Sequence, residues 1–167
     1  MPAEALAVAA DPQVQALRED YRQRKAALLQ TMRAAGPSTR GIRVALTRLA
    51  TLTDEALRSL WALGGFGDGA VLAAVGGYGR GELFPHSDVD VLLLLPPGSD
   101  PRHDAVLRQR IESFIGHCWD IGLEIGASVR SPDECLAVAA GDITVQTALL
   151  EARPLVGDRR LFKTFQP

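Results

Sequence analysis

Residues 75–95 read VGGYGRGELFPHSDVDVLLLL, and the rest of the chain makes sense as scaffold for this stretch. It opens on a glycine pair, Gly76 and Gly77, and closes on Asp88 and Asp90 at the head of the apolar run Val91 to Leu95. Just upstream, VLAAV (71–75) is short, apolar and bounded by glycines, which predicts a buried strand. Glycine accepts positive φ and has no Cβ, so the backbone at Gly76 and Gly77 can approach a phosphate closely. A short helix over 78–83 would turn its free N–H groups to the same point. Pro85 and Ser87 predict a turn, and DVDVLLLL a second strand. Side chains two apart on a strand share a face, so Asp88 and Asp90 project together with Cα atoms roughly 6.6 Å apart, while Val89 points into the core. Two such carboxylates can share divalent cations as hard oxygen ligands. A pair of metals roughly 4 Å apart clamps the attacking and leaving oxygens of a phosphoryl-type transfer. Phosphate donors on one loop and metal carboxylates on the next strand suit transfer of a nucleotide from a nucleoside triphosphate, with pyrophosphate leaving.

Gly-Gly, a gap, then Asp-hydrophobic-Asp resembles the nucleotidyltransferase superfamily that includes DNA polymerase β. More narrowly, GGYGRGELFPHSDVDVLLL, WDIGLEIGASVRSPDECL and DITVQTALLEARPLVGD resemble the N-terminal domain of the bacterial bifunctional PII uridylyltransferase/uridylyl-removing enzymes, the GlnD family. The resemblance implies a mixed α/β nucleotidyltransferase fold, a small mixed sheet flanked by helices, with a helical segment over 1–69 and the core over 70–167. It implies transfer of UMP from UTP to a tyrosine hydroxyl of the PII nitrogen-signalling protein. In that reading Asp88 and Asp90 hold Mg²⁺, in a two-metal site, and Gly76 and Gly77 cradle the triphosphate with Ser87. Arg80 is a candidate phosphate partner, because a guanidinium pairs bidentately with phosphate; the other reading is a surface ion pair with Glu82.

Superfamily members commonly take a third carboxylate from a later strand. Glu124 is the acid inside the strand predicted over 122–130, with Asp120 just before it. Alternation lets Glu124 share the metal face or stand half-exposed, and both readings stay open. Where the family reads GHSVR, this chain has Gly126-Ala127-Ser128-Val129-Arg130, so any role of that His in substrate handling is lost at Ala127. No Lys or His stands out as a base; a carboxylate or a metal-bound tyrosinate would serve. The family continues into an HD-type hydrolase domain and ACT domains, and neither is expected within these residues. Two alternatives remain: transfer of another nucleotide or to another target, and a nucleotide-binding regulatory module without turnover.

The flanking sequence predicts helices. Asp11-Pro12 caps one over 11–35, which Gly36-Pro37 stops. Its basic residues Arg18, Arg22, Arg24, Lys25 and Arg33 read as a solvated face. Residues 1–10 are expected to be loose or weakly helical. A second helical region covers 38–63, with Thr53-Asp54-Glu55 as an internal restart capped by Thr53. The glycine-rich loop 64–69 lacks the Lys-Ser/Thr of a Walker loop. Asp100-Pro101 starts a helix to about 120. Ser131-Pro132-Asp133-Glu134 starts another, Asp142 caps a third, residues 151–156 form an edge strand, and Gly157-Asp158 opens a last helix.

At 167 residues the chain is long enough for a real core, and 47% apolar content is ordinary for one. A net charge of −2 makes no electrostatic case for nucleic acid. Cys118 and Cys135 lack metal-ligand spacing and read as reduced core thiols. His103 and His117 have no carboxylate pattern around them and read as polar surface or core-edge residues. No signal peptide or membrane-spanning run is seen, so a cytoplasmic protein is expected.

Overall fold

The computed structural model describes residues 11–67 and 69–165; the expectation for residues 1–10 lies outside them. Two long helices come first, α1 (Pro12–Ala35) and α2 (Thr39–Gly64). Then follow β1 (Val71–Ala74), the single-turn α3 (Gly76–Gly79), β2 (Val89–Leu94), α4 (Ala105–Asp120) and β3 (Ile125–Arg130). The chain goes on through α5 (Pro132–Gly141), α6 (Ile143–Leu150), β4 (Arg153–Gly157) and α7 (Arg159–Lys163). The sheet order is β3-β2-β1-β4. β1 runs antiparallel to both β2 and β4, and β2 parallel to β3, with α4 as the crossover that a parallel pair requires.

Alternation along β2 sorts its side chains onto two cores. Val89, Val91 and Leu93 join the larger core with Val14 and Tyr21 of α1, Leu57 and Leu60 of α2, and Phe114 and Cys118 of α4. Leu92 and Leu94 join a smaller one with Cys135 of α5 and Leu161 and Phe162 of α7. Asp90 shares the second face. There α6 buries none of its residues, which leaves the sheet open in front of the carboxylate.

Most caps fall where the sequence puts them. Asp11, Ser131, Asp142 and Asp158 each accept from a backbone N–H of the first turn, and Ser131 with Glu134 completes a capping box. The predicted edge strand is β4. Four expectations need correction. α2 runs unbroken through Thr53 and Asp54, both buried, with the Thr53 hydroxyl 3.2 Å from Tyr21 Oη. The turn after the glycine pair starts at Gly76 itself, φ +58°, and ends at Gly79 rather than covering 78–83. α4 starts after Asp104, because the Asp100 carboxylate is taken by the Arg102 guanidinium and His103. The third strand begins at Ile125, not Gly122.

Both cysteines are free and fully buried. Burial pushes the Cys118 thiol up to about 12 and the Cys135 thiol to about 11. The thiolate is the reactive form. Native protein at pH 8 is therefore expected to give no fast reaction with a thiol reagent, and two equivalents after denaturation. A fast native thiol would contradict the burial.

Candidate active site

The end of β1 delivers the chain to the site. Val75 N–H donates to the Asp90 carbonyl at 3.0 Å, which ties the entry of α3 to the strand that carries the carboxylates. Gly76 then takes its positive φ, and a Cβ there would stand 3.8 Å from Asp90 Oδ2. Asp88 precedes β2 and Asp90 is its second residue, both exposed. Burial and the neighbouring Asp88 charge together raise the Asp90 carboxyl above the ordinary carboxylate range.

Across the strand pair, Asp90 stands opposite Gly126 of β3. A Cβ on Gly126 would lie 2.6 Å from Asp90 Oδ1, so this glycine makes the room that the carboxylate occupies. Between Val75, Gly76, Asp90, β3 and α6 lies a cavity of about 340 Å³, walled also by Ser128, Arg130, Val145, Ala148 and Leu149. Its size falls within the range of small-molecule sites. A larger cavity, about 670 Å³, opens at the other end of β1 between Trp61, Gly65 and Arg160. Its one carboxylate, Asp158, is spent on capping α7, whereas the smaller cavity holds Asp90.

The other expected site residues divide. Arg80 is exposed and pairs with Glu151 at 2.7 Å, not with Glu82, and its guanidinium hangs beside Gly77. The Ser87 hydroxyl donates to the Phe84 carbonyl and closes the turn before Asp88. Glu124 lies one residue before β3 and borders a separate cavity of about 90 Å³ with Tyr21, Lys25 and Ser87. Among the described residues no group of three or more His, Cys, Asp or Glu side chains gathers as a metal site, so Glu124 does not join Asp88 and Asp90 in one. Ala127, on the strand face that alternation shares with Ile125 and Val129, also borders the cavity of Gly126 and Asp90.

Sequence reasoning missed the group that holds the glycine turn. Asp54, buried in α2, accepts from Tyr78 Oη at 2.6 Å and from two nitrogens of Arg153 at 2.6 and 3.1 Å. Arg153 also donates to the carbonyls of Tyr78 and Gly79. Burial and the Asp54 charge hold the Tyr78 phenol far above its ordinary value, so it is an O–H donor at any working pH.

The glycine turn thus faces Asp90 on the adjacent strand. The family model for the nucleotidyltransferase domain matches residues 54–148, more than half of the chain, and the chain belongs to that family. Its curated relatives carry a more particular name. The chain is 56% identical over 125 residues to a bifunctional uridylyltransferase/uridylyl-removing enzyme of Ralstonia nicotianae, covering 75% of this chain and 14% of that protein. It is 48% identical over 158 residues to proteins of the same name from Burkholderia mallei and Burkholderia pseudomallei, covering 95% of this chain and 18% of theirs. The chain thus spans under a fifth of the length of these relatives. Among the described residues no helix is long and apolar enough to cross a membrane.

Proposed function

We propose that the chain transfers UMP from UTP to a tyrosine hydroxyl of the PII signalling protein and releases pyrophosphate. The observation that carries the reading is Asp90, set beside Gly76 in a cavity where Gly126 leaves it room, with the Asp88 charge close enough to act on it. The name borne by the relatives supports uridylyl as the group transferred.

The donor set suits a hard divalent cation such as Mg²⁺: two carboxylates, one of them raised by burial and by the charge of the other, with space at Gly76 and Gly126. Bound there, such a cation would offset the charge on the phosphates and on the leaving pyrophosphate. The chain's own residues position the reactants. Gly76 and Gly77 bring backbone close to the triphosphate, with Arg80 beside them and Ser87 holding the turn that leads to Asp88. In the reaction the tyrosine oxygen bonds to the α-phosphorus, the bond to the β-phosphate bridge breaks, and the hydroxyl proton leaves. Asp90, the one carboxylate lining the cavity, is assigned to the cation, so the proton passes to solvent. Glu124 enters this proposal only as a third ligand recruited when substrate binds.

Glu124 stands apart from Asp90, on a separate cavity, which favours one other reading, a nucleotide-binding module without turnover. Calorimetric titration of UTP and ATP, with and without Mg²⁺, followed by a transfer assay with PII, separates the two. Mg²⁺-dependent binding of UTP over ATP and labelled PII are expected. Binding without product supports the regulatory module, and preference for ATP overturns the uridylyl assignment.

A further inference from the structure

We infer that Asp54 and Arg153 are positioning residues, a buried clamp that fixes the glycine turn relative to the Asp88–Asp90 pair. This rests on the nucleotidyl-transfer reading. α3 is one turn long and has too few internal hydrogen bonds to hold its own orientation. Its outer face is gripped instead by a three-residue segment that follows α6. Glu151 offers its carboxylate to Arg80, and its carbonyl lies against Gly79 so closely that a Cβ there would come within 2.2 Å. Two residues on, the Arg153 guanidinium donates to the Tyr78 and Gly79 carbonyls, lies 5.6 Å from the Tyr78 ring centre, and ends on Asp54.

The guanidinium thus takes the Gly79 carbonyl and shares that of Tyr78 with the Gly81 N–H. Asp54 fixes the guanidinium from the long, rigid α2, and Tyr78 Oη adds a third donor to the same carboxylate. Apart from the exposed Arg80–Glu151 pair, the links are made on the side of α3 that Tyr78 and Gly79 bury, and Gly76 lines the cavity. Glu151 and Arg153 lie outside the stretch matched by the nucleotidyltransferase family model. The clamp touches no substrate. It acts by holding the backbone at Gly76 and Gly77 where a triphosphate meets it, and it leaves the metal carboxylates on β2 untouched.

That separation sets the test, made on the whole 167-residue chain. Tyr78→Phe removes one donor, and Arg153→Lys keeps the charge but loses the planar fork. Mn²⁺ alone and Mg²⁺–UTP are titrated into each folded protein, with melting temperatures recorded. The clamp predicts about tenfold weaker Mg²⁺–UTP binding in both variants, with Mn²⁺ affinity within about twofold of wild type. Unchanged nucleotide affinity in folded Tyr78→Phe overturns the clamp, as does a parallel fall in Mn²⁺ affinity, which would mark general loosening. If Arg153→Lys does not fold, the Tyr78→Phe result alone decides. A wild-type chain that binds Mn²⁺ but no nucleotide overturns the nucleotidyl reading and the clamp with it.

Discussion

Replacing Asp90 by Asn is expected to slow nucleotidyl transfer by about 10³-fold or more while the protein stays folded. Stabilisation of developing phosphate charge at a metal site is worth several kcal/mol, and each 1.36 kcal/mol is tenfold in rate. An amide keeps the shape of the carboxylate but loses the charge that would hold a cation. The fold gives nothing up. Burial and Asp88 both raise the Asp90 carboxyl, so the ionised form is the penalised one. The sign follows from linkage. Stability tied to protonated Asp90 is present below its unfolded pKa and is lost as pH rises through the raised folded value. At neutral pH the wild type bears that cost, and a neutral Asn does not. Cation-free Asp90→Asn should therefore melt no lower than wild type, while Mg²⁺ should raise the melting temperature of wild type alone. An Asn variant that transfers within tenfold of wild type would remove Asp90 from the mechanism.

The strand, glycine turn and second strand were legible because their chemistry is local. VLAAV is bounded by glycines, and an aspartate at every second position leads an apolar run. Helix starts were legible for the same reason, since a cap and its first turn are neighbours in sequence, as at Ser131 and Glu134. Where two cap-like residues compete, local reading fails. Asp100 and Asp104 both qualify, and only the folded chain shows Asp100 spent on Arg102 and His103. Asp54 fails for a deeper reason. In TDE it looks like the opening of a helix, yet it is a buried carboxylate that, besides the nearby Arg58 at 3.7 Å, accepts hydrogen bonds from residues 24 and 99 positions away. A charge inside a long amphipathic helix, on its apolar side with Ala50 and Leu57, is the one signal that would have raised the question. Arg80 was legible as a cation beside the glycine turn, but its partner Glu151 lies 71 residues away.

Gly126→Ala should separate stability from function, moving them in opposite directions. Unlike Gly76, Gly126 does not have positive φ, so alanine fits its backbone. Gly→Ala at a compatible strand position stabilises by about 0.4–1 kcal/mol, mainly by restricting the unfolded chain. At about 2–4 °C per kcal/mol for a chain of this size, the melting temperature should hold or rise slightly. The new methyl has one neighbour within bonding reach of trouble, Asp90 Oδ1 at 2.6 Å, with Asp90 Cγ next at 3.8 Å. No backbone blocks it, so the carboxylate swings aside and the sheet stays in place. If Asp90 holds the cation as proposed, displacing it in this way should weaken Mg²⁺ binding and transfer by about 10–100-fold, the range seen when the groups that orient a ligand are disturbed. Circular dichroism melting beside Mg²⁺ titration reads both effects on one sample. A variant that loses stability and metal together would mean that the methyl strains the sheet. Unchanged Mg²⁺ affinity would mean that Asp90 binds from another rotamer and that Gly126 is incidental. Opposite movement, a protein as stable as wild type with a crippled site, is what a glycine kept for the carboxylate's sake requires.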